Sequence, residues 1–204
     1  MGTKERRERE KENLRQEILD AARQLFLQNG FENVSMRQIA EKIEYSPTTI
    51  YLYFADKSDL FRSLCAETFA KLEGELAAIA QNDGDPALCL RKGAEAYIRF
   101  GLRYPHHYQL VFMTAHPHKE AEVKDFQITG ASGERAFHYL LKIISQGIEQ
   151  GKFRKVNPMM LAQTAWATMH GVTSLLITMK GFPWVDREEL IGSAVETLVR
   201  GVAI

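Results

Sequence analysis

The sequence predicts an all-α protein in two parts, a three-helix N-terminal head and a C-terminal helical bundle. Three observations carry this. Apolar residues recur at helical spacing from Leu14 to Val202, with no alternating strand pattern. Helix-starting residues (Ser35, Ser46 with Pro47, Asp186) stand directly before those periodic runs. One breaker cluster, Gln81-Asn-Asp-Gly-Asp-Pro86, interrupts the chain. The expected organisation is a head over residues 1–57, a connecting helix over about 58–80, and a second domain over 86–204.

The first helix carries Leu14, Ile18, Ala21, Ala22, Leu25 and Phe26 on one face, and Gly30 suits its left-handed C-terminal position. Before it, residues 3–13 are almost wholly charged. They read as a solvated extension with Glu5 and Arg9 four apart; the other reading is a basic arm of Lys4, Arg6 and Arg7. In the second helix Ser35 is the N-cap and Met36, Ile39, Ala40 and Ile43 share a buried face. Ser46 caps a third, very short helix with Pro47 in its first turn, where a missing N–H costs nothing. Ile50 and Phe54 supply its buried side. Thr48, Thr49, Tyr51 and Tyr53 are left as hydroxyl-bearing groups on a helix too short and too polar to be a core element. Two short helices joined by a tight turn, the second presenting polar groups, make a helix-turn-helix whose N-terminal residues approach base edges in a groove.

The stretch that carries this motif resembles the TetR family of transcriptional regulators. The matching residues are Gly30-Phe31, Val34-Ser35-Met36-Arg37 with Ile39-Ala40, Ser46-Pro47-Thr48-Thr49-Ile50-Tyr51, Tyr53-Phe54, and Asp56-Lys57 with Leu60. There are departures. Ile43-Glu44-Tyr45 stands where the family often has Ala-Gly-Val, Thr48 where Gly is frequent, and Tyr53 where His is common. A turn without glycine puts backbone strain on Glu44. The resemblance implies a homeodomain-like head bound to double-stranded DNA at a palindromic operator, a C-terminal domain for a small-molecule effector, and a homodimer. It is similar to a repressor released by its ligand. On that reading the DNA-binding residues are Ser35, Arg37 and Lys57, which touch phosphates, Ser46 and Pro47 at the start of the recognition helix, Thr48, Thr49 and Tyr51, which face bases or phosphates, and Tyr53, which contacts backbone.

Charge neither supports nor opposes this. The chain has 26 Lys plus Arg against 26 Asp plus Glu, so the case rests on where a few donors point. Two cysteines, Cys65 and Cys89, in apolar helical settings read as buried free thiols in a reducing cytosol. The charged start is unlike a signal peptide and no window has the length of a transmembrane helix, so the expected place is cytoplasmic, with no membrane partner.

Beyond the breaker cluster, Leu88, Leu90, Ala94, Tyr97, Ile98 and Leu102 make one helix, ended near Tyr104-Pro105; a short aromatic segment follows over 106–113. Ala136, Phe137, Leu140, Leu141, Ile144 and Ile148 make the next. Asn157-Pro158 starts a helix to about Lys180, and Asp186 caps the last, with Leu190, Ile191, Ala194, Val195, Leu198, Val199 and Val202 on its apolar side. No catalytic pattern, cofactor motif or metal-ligand spacing stands out; His106-His107 and His116-Pro-His118 lack supporting ligands, and no enzyme is expected. Trp166 and His170 lie four apart on one helix face, followed by Gly171, an arrangement similar to one in the ligand-binding domains of a TetR subgroup. A mostly apolar effector pocket between the fifth, seventh and eighth helices is expected, lined by Tyr97, Phe100, Phe112, Trp166 and His170. Apolar stripes on the last two helices, with Gly171, Leu175, Leu190, Ala194 and Leu198, are expected to meet a second copy.

Overall fold

The structure is a computed structural model that describes residues 2–80, 84–114 and 130–204. Among these residues it is all-α apart from one isolated bridge. The helices are α1 Thr3–Asn29, α2 Met36–Lys42, α3 Pro47–Tyr51, α4 Lys57–Ala80, α5 Pro86–Arg103, α6 Pro105–Phe112, α7 Gly130–Glu149, α8 Pro158–Thr178 and α9 Arg187–Val202. His116 and His118 lie outside the described residues. The chain forms two compact units, Met1–Thr68 with His106–Gly130, and Phe69–Pro105 with Ala131–Ile204.

In the first unit, α1 buries Ile18, Leu19, Ala22 and Phe26, while Leu14 and Leu25 of the expected stripe are only half-buried. Phe26, Phe31 and Phe61 form a triangle of rings with centroids 5.3–5.9 Å apart. Such edge and tilted contacts add about 0.5–1.5 kcal/mol per pair beyond burial alone. Gly30 ends α1 with φ 79° and ψ 154°. The positive φ needs glycine, but the extended ψ turns the chain outward rather than into the left-handed helical cap the sequence suggests. One buried ion pair ties α1 to α4: Arg23 bonds Asp20 at 2.6 Å and Glu67 at 2.9 Å. Its Nε finds no partner, so the guanidinium bears a desolvation cost that the two carboxylates offset.

In the second unit, α5, α8 and α9 pack on one another. Their core is Leu90, Ala94, Tyr97, Ile98 and Phe100 against Leu161, Ala165, Met169, Ile191, Val195 and Val199. Leu88 is exposed although its spacing put it on the apolar side. It sits in the first turn of α5, where Pro86 and Cys89 take the buried positions instead. Arg91–Glu196 and Arg99–Glu188 join α5 to α9. After α7 the chain reverses at Gly151 (φ 66°), and an antiparallel bridge pairs Phe153 with Ala203. The Arg154 N–H donates to the Val202 carbonyl at 2.9 Å. Phe153 is 1% exposed, because its ring lies over Gly147.

That ring leaves no room for a side chain. A Cβ at residue 147 falls 2.1 Å from Phe153 Cδ2. Gly147→Ala gains helix propensity in α7, yet overpacking outweighs it. The expected result is a net loss of ~1–3 kcal/mol, read from denaturant unfolding. Unchanged stability contradicts the packing described.

Candidate nucleic-acid interface and aromatic cluster

The helix-turn-helix is built by local capping. Ser35 Oγ accepts from the Gln38 N–H at 3.2 Å, and Gln38 Oε1 accepts from the Ser35 N–H at 2.7 Å, a reciprocal capping box. Met36, Ile39 and Ala40 point inward. Three carbonyl-directed bonds fold the turn, among them Tyr45 N–H to Ala40 O at 3.0 Å. Glu44 takes φ 61° there, the only non-glycine residue with positive φ among the described residues. The strain expected from the missing glycine is thus present, and it falls on Glu44. Ser46 Oγ then accepts from the Thr49 N–H at 3.2 Å and opens α3, with Pro47 in the first turn.

Only Ile50 of α3 is buried. Its outer surface is Thr48, with Tyr51 54% and Leu52 76% exposed. Burial of one side and exposure of a large aromatic and a large aliphatic group on the other suit a surface made to be covered by a macromolecule. Thr49 is half-buried and its hydroxyl lies 2.9 Å from Ser46 Oγ, so the two are first a cap and only secondarily contact groups. Tyr53 is half-buried. Arg37 is exposed and pairs with Glu41 at 2.9 Å on its own helix, a screened contact worth about 0.3–0.5 kcal/mol that a phosphate can replace. Sequence reasoning passed over Tyr45 and Leu52. Tyr45 is 44% exposed in the turn that precedes α3, and Leu52 directly follows α3.

Lys57 makes its contacts within the head. Its ammonium donates to the Phe31 carbonyl at 2.7 Å and to the Glu32 carbonyl at 3.3 Å, and lies 4.3 Å from the centre of the Phe31 ring. Asp56 Oδ1 accepts from the Asp59 N–H at 2.7 Å, and Asp59 Oδ2 accepts from the Ala55 N–H at 3.0 Å. Two carboxylates thus stand at the start of α4 beside Lys57. Lys57 clamps the loop after α1, because its charge finds two carbonyls and a ring face within reach.

Four of the five expected pocket residues, Tyr97, Phe100, Trp166 and His170, lie in the second unit. Trp166 Nε1–H donates to the Tyr97 hydroxyl oxygen at 3.0 Å. Phe137 packs edge-on against Trp166 with centroids 6.0 Å apart, a contact the sequence reading left out of the site. His170 shares the Trp166 face of α8 one turn on, and burial pushes its pKa down. Phe100 is fully buried and tilts onto Tyr104 at 5.4 Å. Phe112 belongs to the first unit, where its ring lies 4.7 Å from Tyr108. On the outer faces, Leu175 is exposed, Gly171, Leu190 and Ala194 are half-buried, and Leu198 is buried within its own unit. A Cβ on Gly171 would meet nothing within 4 Å, so the close approach its sequence setting suggests is not made within this chain.

Among the described residues, no group of three or more His, Cys, Asp or Glu side chains is gathered to hold a metal. None of the helices among them is long and apolar enough to cross a membrane. A short capped helix with an exposed outer face, packed with α1 and α2, is the arrangement of a helix-turn-helix head. The comparisons with known proteins agree. Residues 18–64 match the model of the bacterial regulatory proteins of the tetR family, and residues 90–198 match the tetracyclin repressor-like C-terminal domain. The chain belongs to the TetR family, and its role is that of a DNA-binding transcriptional regulator.

Relatives fall into two kinds. The HTH-type transcriptional regulator AcrR of Shigella flexneri is 38% identical over 84 residues, 41% of this chain and 39% of that protein. The alignment thus spans about two fifths of that relative. The fatty acid metabolism regulator protein of Bacillus subtilis is 25% identical over 198 residues, 91% of this chain and 94% of that one. Among solved structures, a TetR family transcription regulator from Marinobacter aquaeolei VT8 superposes with a TM-score of 0.75 at 20% identity. That alignment covers 96% of this chain and 98% of the other, a likeness of fold.

Two predictions come from this geometry. Glu44→Gly releases a positive-φ strain and is expected to stabilise the head by up to ~1 kcal/mol, read as a higher denaturant midpoint. A lower midpoint would mean that Glu44 makes compensating contacts. His170 has its pKa lowered by burial, so its unfolded form binds more protons. Its contribution is complete above the ordinary histidine pKa and is lost as pH falls below that value towards the lowered one. His170→Gln is expected to flatten the stability curve in that acidic window and leave it unchanged above neutrality; parallel curves for both proteins would contradict this.

Proposed function

We propose that the protein is a homodimeric repressor that reads a palindromic operator and is released from it by a small, mostly hydrophobic effector. The observation that carries the reading is α3: one buried side chain, Ile50, supports an outer face of Thr48, Tyr51 and Leu52 that nothing in the first unit covers. Thr48 and Tyr51 meet bases or phosphates, Arg37 and Ser35 meet phosphates, and Tyr53 lies along the backbone. Relatives in Corynebacterium diphtheriae and Pseudomonas putida are named as repressors, which supports the sign of regulation.

The dimer is argued from α8. Residues 158–179 contain no Asp, Glu, Lys or Arg, and their outer row is Met160, Thr164, Ala167, Gly171, Leu175 and Thr178. Small and apolar groups without charge suit close packing against the same helix of a second copy, with Leu190 and Ala194 of α9 beside it. Two heads held this way would address half-sites ~34–36 Å apart, or a multiple of that.

The effector site is the cluster of Tyr97, Phe137, Trp166 and His170. It offers ring faces and hydroxyl and imidazole groups, and burial favours the neutral imidazole, so it suits an uncharged or long apolar ligand rather than a polyanion. The Trp166-x-x-x-His170-Gly171 run supports grouping the chain with the TetR regulators that have this motif. The name of the Bacillus subtilis relative makes fatty acids the first ligands to try. Operator and effector oppose each other by one coupling free energy, so each weakens the other by the same factor.

The test pairs two substitutions. Tyr51→Ala is expected to weaken operator binding at least tenfold while the protein stays dimeric in sedimentation. Leu175→Glu is expected to give monomers and lose operator binding with its helix content intact. Normal binding by Tyr51→Ala removes that residue from the interface, and a dimeric Leu175→Glu removes the α8 face from the dimer.

A further inference from the structure

The outer end of α1 carries a second surface. α1 is one continuous helix from Thr3, yet residues 4–13 hold no apolar side chain and all are exposed. A stretch of this length without a core is marginal on its own and persists here because the helix behind it is packed. Along the sequence its acids and bases interleave, so no net charge stands out. The helix sorts them. Lys4, Arg7, Lys11 and Arg15 step by three or four residues along one row, which continues into the buried Ile18 and Ala22. Glu5, Glu8 and Glu12 fall on the neighbouring row, and Arg6 pairs with Glu10 on another side. Among the described residues, Lys4, Arg7 and Lys11 enter no ion pair.

The row begins beside the reading surface. Lys11 and Arg15, with Glu8 and Glu12, line a crevice whose other wall is Leu52 and Tyr53, the residues that follow α3. Arg15 is fixed there, its guanidinium carbon 5.3 Å from the centre of the Phe54 ring. The cations beyond it lead away from the recognition helix along a rigid rod.

We propose that Lys4, Arg7 and Lys11 form a sequence-independent contact to DNA phosphates flanking each half-site. This rests on the operator reading above. Glu8 and Glu12 share the crevice with Lys11 and Arg15, so the strand runs along the cationic row on its open side, bordered by Glu8 on one side and Leu14 on the other. Phosphate contacts position the protein and carry no base information, so removing them lowers affinity for every site alike.

The test uses the full chain and an operator duplex selected from random DNA. Lys4→Gln/Arg7→Gln/Lys11→Gln is compared with a control of equal charge change in the second unit, Lys92→Gln/Lys155→Gln/Lys180→Gln. The slope of log K against log salt is expected to become shallower by ~0.9 for each phosphate the first variant no longer neutralises, with affinity down more than tenfold at low salt. The control is expected to keep the wild-type slope. Because the three α1 side chains are exposed and enter no ion pair, unfolding midpoints should match; Lys11→Gln alone, expected to lower the slope less, serves if the triple variant is unstable. A wild-type slope in the α1 variants, or an equal change in the control, overturns the proposal. If the wild-type chain itself binds no selected duplex, the operator reading has failed instead.

Discussion

A five-residue helix cannot hold itself. α3 has one buried side chain and fewer than two turns, so its orientation depends on what is done to its ends. Ser46 Oγ accepts from the Thr49 N–H, the Ala40 carbonyl takes the N–H of Tyr45 just before the helix, and Phe54 drops into the core immediately after. Contacts elsewhere in the head hold the loop that leads to α2. The Phe26, Phe31 and Phe61 rings fix the loop from α1 to α2 against α4, and the Lys57 ammonium locks the same loop from above through two carbonyls. A helix that contributes little to the core is thereby kept rigid at small cost, and its outer face is left for use.

The strain at Glu44 belongs to this economy. Turning from α2 into α3 requires a positive φ, which a side chain resists. Three backbone bonds around the turn hold it there. Both Glu44 and Tyr45 are exposed there. A glycine in this turn would relax the backbone.

Much of this was legible in the sequence, and the limits have physical causes. The caps at Ser35, Ser46, Asn157 and Asp186 were legible because each depends on one side chain and the backbone a few residues ahead. The Glu44 strain was legible for the same reason. The partners of Lys57 within the head were not legible, because the Phe31 and Glu32 carbonyls are distant in sequence and become neighbours only when the core closes. Leu88 and Leu198 show the limit of periodicity: a helical stripe does not say which edge of it is covered by the chain's own fold. In the aromatic cluster, spacing put Trp166 and His170 on one face, but the bond to Tyr97 and the contact with Phe137 join residues far apart along the chain.

The central claim is that the outer face of α3 reads sequence. Selection of binding sites from random duplex DNA by the purified chain tests it most directly. The account predicts enrichment of a two-fold symmetric site whose affinity falls steeply with salt. Failure to enrich any sequence, by protein stripped of bound small molecules and shown to be folded, would contradict it.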